Sequence, residues 1–144
     1  MRAVWIPKPG PPEVLEVREG ADPVAKADQV RVRVRASGVN FADVSARLGV
    51  YPDAPPPPCV VGYEVSGVID QVGANVQGLK DGDRILALTR FGGYADTIAI
   101  PANQVFGMPA AMSFEEAAAI PVNYLTAILM LRNFGILKIR LLRP

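Results

Sequence analysis

Histidine is absent from the 144 residues, and cysteine occurs once, at Cys59. The first absence removes the side chain that most often carries protons near neutral pH and most often binds metal. The second excludes an internal disulfide. With no histidine to activate its thiol, Cys59 reads as a small buried hydrophobe and not a nucleophile. A lone cysteine fits a reducing compartment, so a cytoplasmic location is expected. Excess charge is missing too: the net charge is +1, which gives no strongly basic surface for nucleic acid. No stretch reaches the roughly 18 uncharged apolar residues of a spanning helix. Residues 1–20 mix apolar side chains with prolines and charges, unlike a signal peptide. A soluble protein is expected.

What is present is core material and punctuation. Half the side chains are hydrophobic, enough for one core, and the length favours one domain. "RAVWI" and "EVLEV" are short β-rich runs separated by the turn-forming "PKPGPP". "QVRVRVRA" alternates strictly, with Val30, Val32 and Val34 on one face and Arg31, Arg33 and Arg35 on the other. It reads as a half-buried strand with a solvated arginine face. After Gly38, "FADVSARL" sets Phe41, Val44 and Leu48 on one helical face, and Gly49 ends that helix. "YPDAPPPPC" is extended, because four consecutive prolines exclude helix and central strand. "YEVSGVIDQVG", "ANVQGLKDGDRILAL" and "FGGYADTIAI" are strands broken by tight turns, Asp81-Gly82 among them. "SFEE" has capping-box spacing ahead of "AAAIPVNYLTAILML", which Pro121 should divide into two helical pieces. Many short strands followed by helices predict a mainly β, α+β fold built on a partly open barrel.

"GVNFADVSARLGVYP", "GYEVSGVIDQVGANVQGLKDGDRI" and "SFEEAAAIPVNYLTA", in this order and spacing, resemble the N-terminal half of the medium-chain dehydrogenase/reductase superfamily. The likeness is to its zinc-independent quinone oxidoreductase branch, synaptic-vesicle amine-transport-like members in particular, and covers residues 1 to about 135. It implies a GroES-like catalytic barrel over 1–120, NADPH as cofactor, and reduction of quinones or α,β-unsaturated carbonyls. In zinc-using relatives a cysteine in the motif matching "NFAD" and a histidine at the second position of "GYE" bind the catalytic metal. Here Asn40 and Tyr63 stand there, neither a good zinc ligand. One cysteine cannot supply the four thiolates of those relatives' structural zinc either, so the resemblance implies no metal site.

The same resemblance puts Asn40, Tyr51 and Thr126 near the nicotinamide. Asn40 and Tyr51 are the catalytic candidates, Asn40 and Thr126 the cofactor contacts, and Tyr51 and Tyr63 the substrate-pocket residues. Each has a plainer alternative: Asn40 as helix N-cap, Tyr51 as loop packing, Thr126 bonding its own helix backbone, Tyr63 packing on the barrel. Some quinone reductases carry a cofactor-contacting tyrosine where this chain has Ser45. Asp43 and Glu64 are expected to organise loops by accepting backbone N–H bonds.

In such relatives a doubly wound domain holds the cofactor pyrophosphate on a glycine-rich turn and can mediate homodimer formation. After residue 110 the only glycine is Gly135, so residues 121–144 are expected to be a helical lead-in to a Rossmann domain that this chain lacks. A truncation or frame change is one expectation, and the chain as given is expected to be inactive. The segment after Glu116 holds Arg132, Lys138, Arg140 and Arg143 and no acid. That basic tail can lie on anionic membrane or be a helix that has lost its packing partner, the latter preferred. Two functions stay open: the catalytic half of an NADPH-dependent reductase, and a non-catalytic GroES-like binding or assembly module.

Overall fold

In the computed structural model, which describes residues 1–133, the alternating run Gln29–Ser37 (β3) is an interior strand of the larger sheet. It lies antiparallel between Thr97–Pro101 (β6) and Glu64–Val72 (β4). Arg84–Leu88 (β5) and Val105–Gly107 (β7) extend the sheet beyond β4, giving the order β6-β3-β4-β5-β7 with β6 and β7 as edges. Arg2–Trp5 (β1) and Glu16–Glu19 (β2) form a separate antiparallel pair. Bridges Ala3 to Ala95 and Ile6 to Cys59 tie β1 to the rest. The expected strand-rich α+β fold with an open sheet is what the chain forms.

Val30 and Val32 are fully buried, as the alternation requires, and pack with Val65, Ile69, Ile85, Ala87, Ile98 and Ile100. Burying each such aliphatic side chain contributes about 1.5–3 kcal/mol. On the other face Arg31 and Arg33 meet the Asp70 carboxylate at 2.8 and 2.7 Å, and Arg33 also reaches Asp22 at 2.8 Å. The arginine face is therefore largely neutralised by acids as well as solvated. Where Val34 stands opposite Gly67, the strands approach so closely that a Cβ on Gly67 would lie 2.2 Å from the Arg33 carbonyl oxygen.

Phe114–Ala118 (α2) carries the predicted capping box. The Ser113 hydroxyl accepts from the Glu116 N–H at 3.2 Å, and the Glu116 carboxylate accepts from the Ser113 N–H at 2.9 Å. Ala117 and Ala118 are buried. Pro121 opens a new helix, Pro121–Asn133 (α3), so the division into two helical pieces holds. Tyr124, Leu125, Ile128, Leu129 and Met130 of α3 are exposed.

Two expectations need correction. "EVLEV" starts as a single 3-10 turn at Pro12–Val14, and strand pairing begins only at Glu16, because Pro11 and Pro12 hold that end in a turn. The helix Phe41–Arg47 (α1) does not bury Phe41, Val44 and Leu48. Phe41 is 85% exposed and Leu48 49%, while the inward residues are Asp43 and Ala46. Gly49 does end the helix, at φ +76°. Cys59 is buried, and burial pushes its thiol up, as expected of an inert cysteine. Gly135, Ile136, Leu137, Lys138, Arg140 and Arg143, on which the tail expectations rest, lie outside the described residues.

Candidate active site

The inward face of α1 is set by an acid, and that acid organises three chain segments. Asp43 is 4% exposed. It accepts from the N–H of Asn40 at 2.8 Å, the N–H of Gly62 at 3.0 Å and the hydroxyl of Tyr94 at 2.8 Å. The helix start, the entry to β4 and the turn before β6 are thereby fixed to one carboxylate. Gly62 has φ +106°, and a Cβ there would stand 2.7 Å from the Tyr94 N, so only glycine suits this approach. Burial, and then the bond to Asp43, push the Tyr94 phenol well above its ordinary value.

Asn40 is the N-cap residue of α1, in extended conformation. Its side chain turns to Glu64, which is 1% exposed. One Glu64 oxygen accepts from Asn40 Nδ2 at 2.9 Å and the other from the backbone N–H of Val122, in the first turn of α3, at 2.8 Å. Gly38 makes the room, since a Cβ there would lie 2.2 Å from Glu64 Oε1. A carboxylate only accepts, so Asn40 must aim its nitrogen at Glu64. Its carbonyl oxygen faces the backbone N–H of Asp43 in a capping box, and its second N–H remains for other partners. Asp43 and Glu64 thus both accept backbone N–H bonds, as expected of organising acids.

Between them in sequence lies Tyr63. Its ring meets Tyr51 edge-on, centroids 6.2 Å apart at 82°, and Phe91 at 5.3 Å and 56°. Its hydroxyl oxygen is buried and has no hydrogen-bond partner among the described residues. Burial, with the Tyr51 phenol beside it, raises the Tyr63 ionisation far above the usual range, so it stays a neutral donor. A buried hydroxyl without a partner costs about 1–3 kcal/mol, and the nearest polar group to the Tyr63 oxygen is the Tyr51 phenol.

Of the residues singled out in the sequence, Tyr51 and Tyr63 are in contact. Asn40 joins them through Asp43, Gly62 and the peptide linking Gly62 to Tyr63. Thr126 is exposed on α3, one turn beyond Val122. Phe91 and Tyr94 were missed. The only signal was their position on either side of the Gly92-Gly93 turn, where Gly92 adopts φ +87°. For zinc the donor set is poor: no group of three or more acidic, cysteine or histidine side chains capable of holding a metal occurs among the described residues. For a ligand with a carbonyl or carboxamide, the Tyr63 hydroxyl and the second N–H of the Asn40 amide are donors of the right chemistry.

These features define a GroES-like barrel with a cluster of polar and aromatic side chains at the start of β4. The family profile of the alcohol dehydrogenase GroES-like domain matches residues 26–110. The chain belongs to that family, within the medium-chain dehydrogenases and reductases. It is 48% identical over 124 residues to the synaptic vesicle membrane protein VAT-1 homolog of Danio rerio, covering 86% of this chain and 25% of that protein. The human VAT-1 homolog-like protein structure superposes with a TM-score of 0.91 at 36% identity, over 95% of this chain and 44% of that one. The Escherichia coli quinone oxidoreductase complexed with NADPH gives 0.86 at 34% identity, over 93% and 41%. The chain thus spans about a quarter to a third of the length of the VAT-1 homologs it matches.

Proposed function

We propose that this chain forms the substrate-facing half of an NADPH-dependent, zinc-independent reductase of quinones or α,β-unsaturated carbonyls. The observation that carries this reading is the buried, unpartnered Tyr63 hydroxyl, set in an aromatic wall beside an oriented Asn40 amide. Membership of the family and likeness to an NADPH-complexed quinone oxidoreductase support it.

A reduced nicotinamide, when bound, supplies the hydride. The chain's own residues bind and orient. Tyr63 donates its hydroxyl proton in a hydrogen bond to the substrate oxygen, where negative charge develops. Tyr51 and Phe91 hold the Tyr63 ring and offer apolar faces to a planar substrate. Asn40 presents its second N–H as a donor to the carbonyl of a carboxamide, and Thr126 offers a hydroxyl from α3. No step needs a metal, and Asn40 and Tyr63 in place of ligands are the basis for the zinc-independent reading.

On this reading residues 1–120 are the site-bearing domain and 121–144 lead toward a cofactor-binding domain. Homodimer formation through such a domain, a cytoplasmic location and only weak membrane contact complete the proposal. No described helix is long and apolar enough to cross a membrane. Nucleic acid has no place in it.

The 144-residue chain alone should bind NADPH no better than roughly millimolar, about 4 kcal/mol, because only the nicotinamide end finds partners. A chimera joining residues 1–133 to the second domain of a relative should reduce a simple quinone without added zinc. Micromolar NADPH binding by the chain alone would refute the division of labour. A chimera that binds NADPH but reduces neither quinone nor enone would favour a non-catalytic binding module.

A further inference from the structure

Glu64 is buried, ionisable and unused in the chemistry above. Its two oxygens serve groups that belong to different parts of the molecule. One holds the side-chain amide of Asn40 and the other the backbone N–H of Val122 at the start of α3. Both partners are donors, so both oxygens must accept, and only a carboxylate has two acceptor oxygens in this shape. Gly38, where a Cβ would overlap Glu64 Oε1, keeps the acid in this place.

We propose that Glu64 is a positioning residue whose single carboxylate sets both the face that Asn40 turns to the site and the seating of the first turn of α3. The proposal rests on the reading of Asn40 as a site residue only for its functional meaning, since the structural claim stands on the two bonds. An orientation of α3 that drew Val122 away would free one oxygen and loosen the grip on Asn40. The site would thereby register how α3 leaves the barrel.

The isosteric variant Glu64→Gln makes a sharp test. A glutamine has one oxygen and one NH2 group. The Val122 N–H can only donate and its backbone is fixed, so the oxygen must stay with Val122. The new NH2 then faces Asn40, where two donors cannot meet, and the Asn40 amide must turn over to offer its oxygen. The bonds of residue 64 are kept while the amide is reversed, at the expense of the Asn40 oxygen's place opposite the Asp43 N–H.

The readout is nuclear magnetic resonance on the 15N-labelled 144-residue chain, with no cofactor and no turnover. In Glu64→Gln the two Asn40 side-chain N–H resonances should move strongly, because one loses a carboxylate partner, while Val122 keeps its protection from hydrogen exchange. In Glu64→Leu the protection of Val122 should fall at least about ten-fold, as expected for losing a bond to a charged acceptor, with β3 and β4 amides changed less. Unmoved Asn40 resonances in Glu64→Gln would overturn the proposal. So would an equal loss of protection through the whole chain in Glu64→Leu, which is the behaviour of a simple core residue. If Glu64→Leu does not fold, Glu64→Gln decides alone, through Asn40 and Val122 together. None of these results depends on whether the chimera reduces a quinone, so failure of the functional reading remains distinguishable.

Discussion

Replacing Tyr63 by phenylalanine removes one oxygen and separates the site's contribution to stability from its contribution to function. The ring contacts with Tyr51 and Phe91, at 6.2 and 5.3 Å, do not involve the hydroxyl and should survive. The oxygen is buried without a well-formed hydrogen bond, so its removal relieves a desolvation cost of about 1–3 kcal/mol and sacrifices at most a weak contact with the Tyr51 phenol beside it. Allowing for a small void where the oxygen was, Tyr63→Phe should stabilise the 144-residue chain by about 1 kcal/mol, or roughly 3 °C in Tm for a domain of this size. Urea unfolding followed by Trp5 fluorescence measures the change directly. In the chimera the same substitution should lower kcat/KM for a quinone by about 1–3 kcal/mol of barrier, roughly 5- to 150-fold, because the donor to the substrate oxygen is gone. Residues held for function at a cost in stability behave in this way. Destabilisation by more than about 1 kcal/mol would mean that the hydroxyl has a structural partner, and the reasoning from an orphaned donor would fail. Unchanged turnover in a stabilised variant would leave Tyr63 as a packing residue.

Asp43→Ala should be far more damaging, on the order of 3–5 kcal/mol by urea unfolding, since it strands the donors of Asn40, Gly62 and Tyr94 in a buried position. Burial alone would raise the Asp70 carboxyl, but its hydrogen bonds with Arg31 and Arg33 outweigh that and hold it below the usual range. The stability it carries is therefore fully present above the unfolded value of about 4 and is lost as pH falls through the lower folded value. Urea midpoints measured from about pH 5 down to about pH 2 should decline, and Asp70→Asn should flatten that decline. The exposed apolar side chains of α3, with Tyr124 at 63% and Leu129 at 55%, should drive concentration-dependent association of the 144-residue chain. Light scattering should detect it, and Leu125→Glu with Leu129→Glu should abolish it. Purified protein, dialysed and analysed for metal, should hold no stoichiometric zinc; one retained zinc per chain would contradict the readings of Asn40 and Tyr63.

What could be read from the sequence was whatever is encoded within a few residues. The alternation from Val30 to Val34 declared a strand with one buried face. Ser113 and Glu116 declared a helix start, and Pro121 a second one, because each depends on a spacing of two to four residues or on a proline's own geometry. The inward face of α1 failed for the opposite reason. Periodicity weighs Phe41, Val44 and Leu48 by hydrophobicity alone, yet the helix is turned by Asp43, whose donors come from positions 40, 62 and 94. Val44 is still half-buried, and three bonds to a buried carboxylate outweigh leaving Phe41 and Leu48 exposed, at about 1.5–3 kcal/mol for each bond and a similar figure for each side chain. The candidate site has the same character. Its parts are drawn together by bonds such as that from Glu64 to Val122, 58 residues on, and by glycines at 38 and 62 that matter for the side chains and backbone they admit. No local pattern carries those relations. The ordered family motifs brought forward Asn40, Tyr51 and Thr126, with Tyr63 as a pocket residue; Tyr51 and Tyr63 meet, Thr126 stands exposed on α3, and Phe91 and Tyr94 went unmarked. A site assembled around buried acids is therefore visible in sequence mainly as an unexplained polar residue on an otherwise sensible element, which is how Asp43 stands in "NFADVSARL".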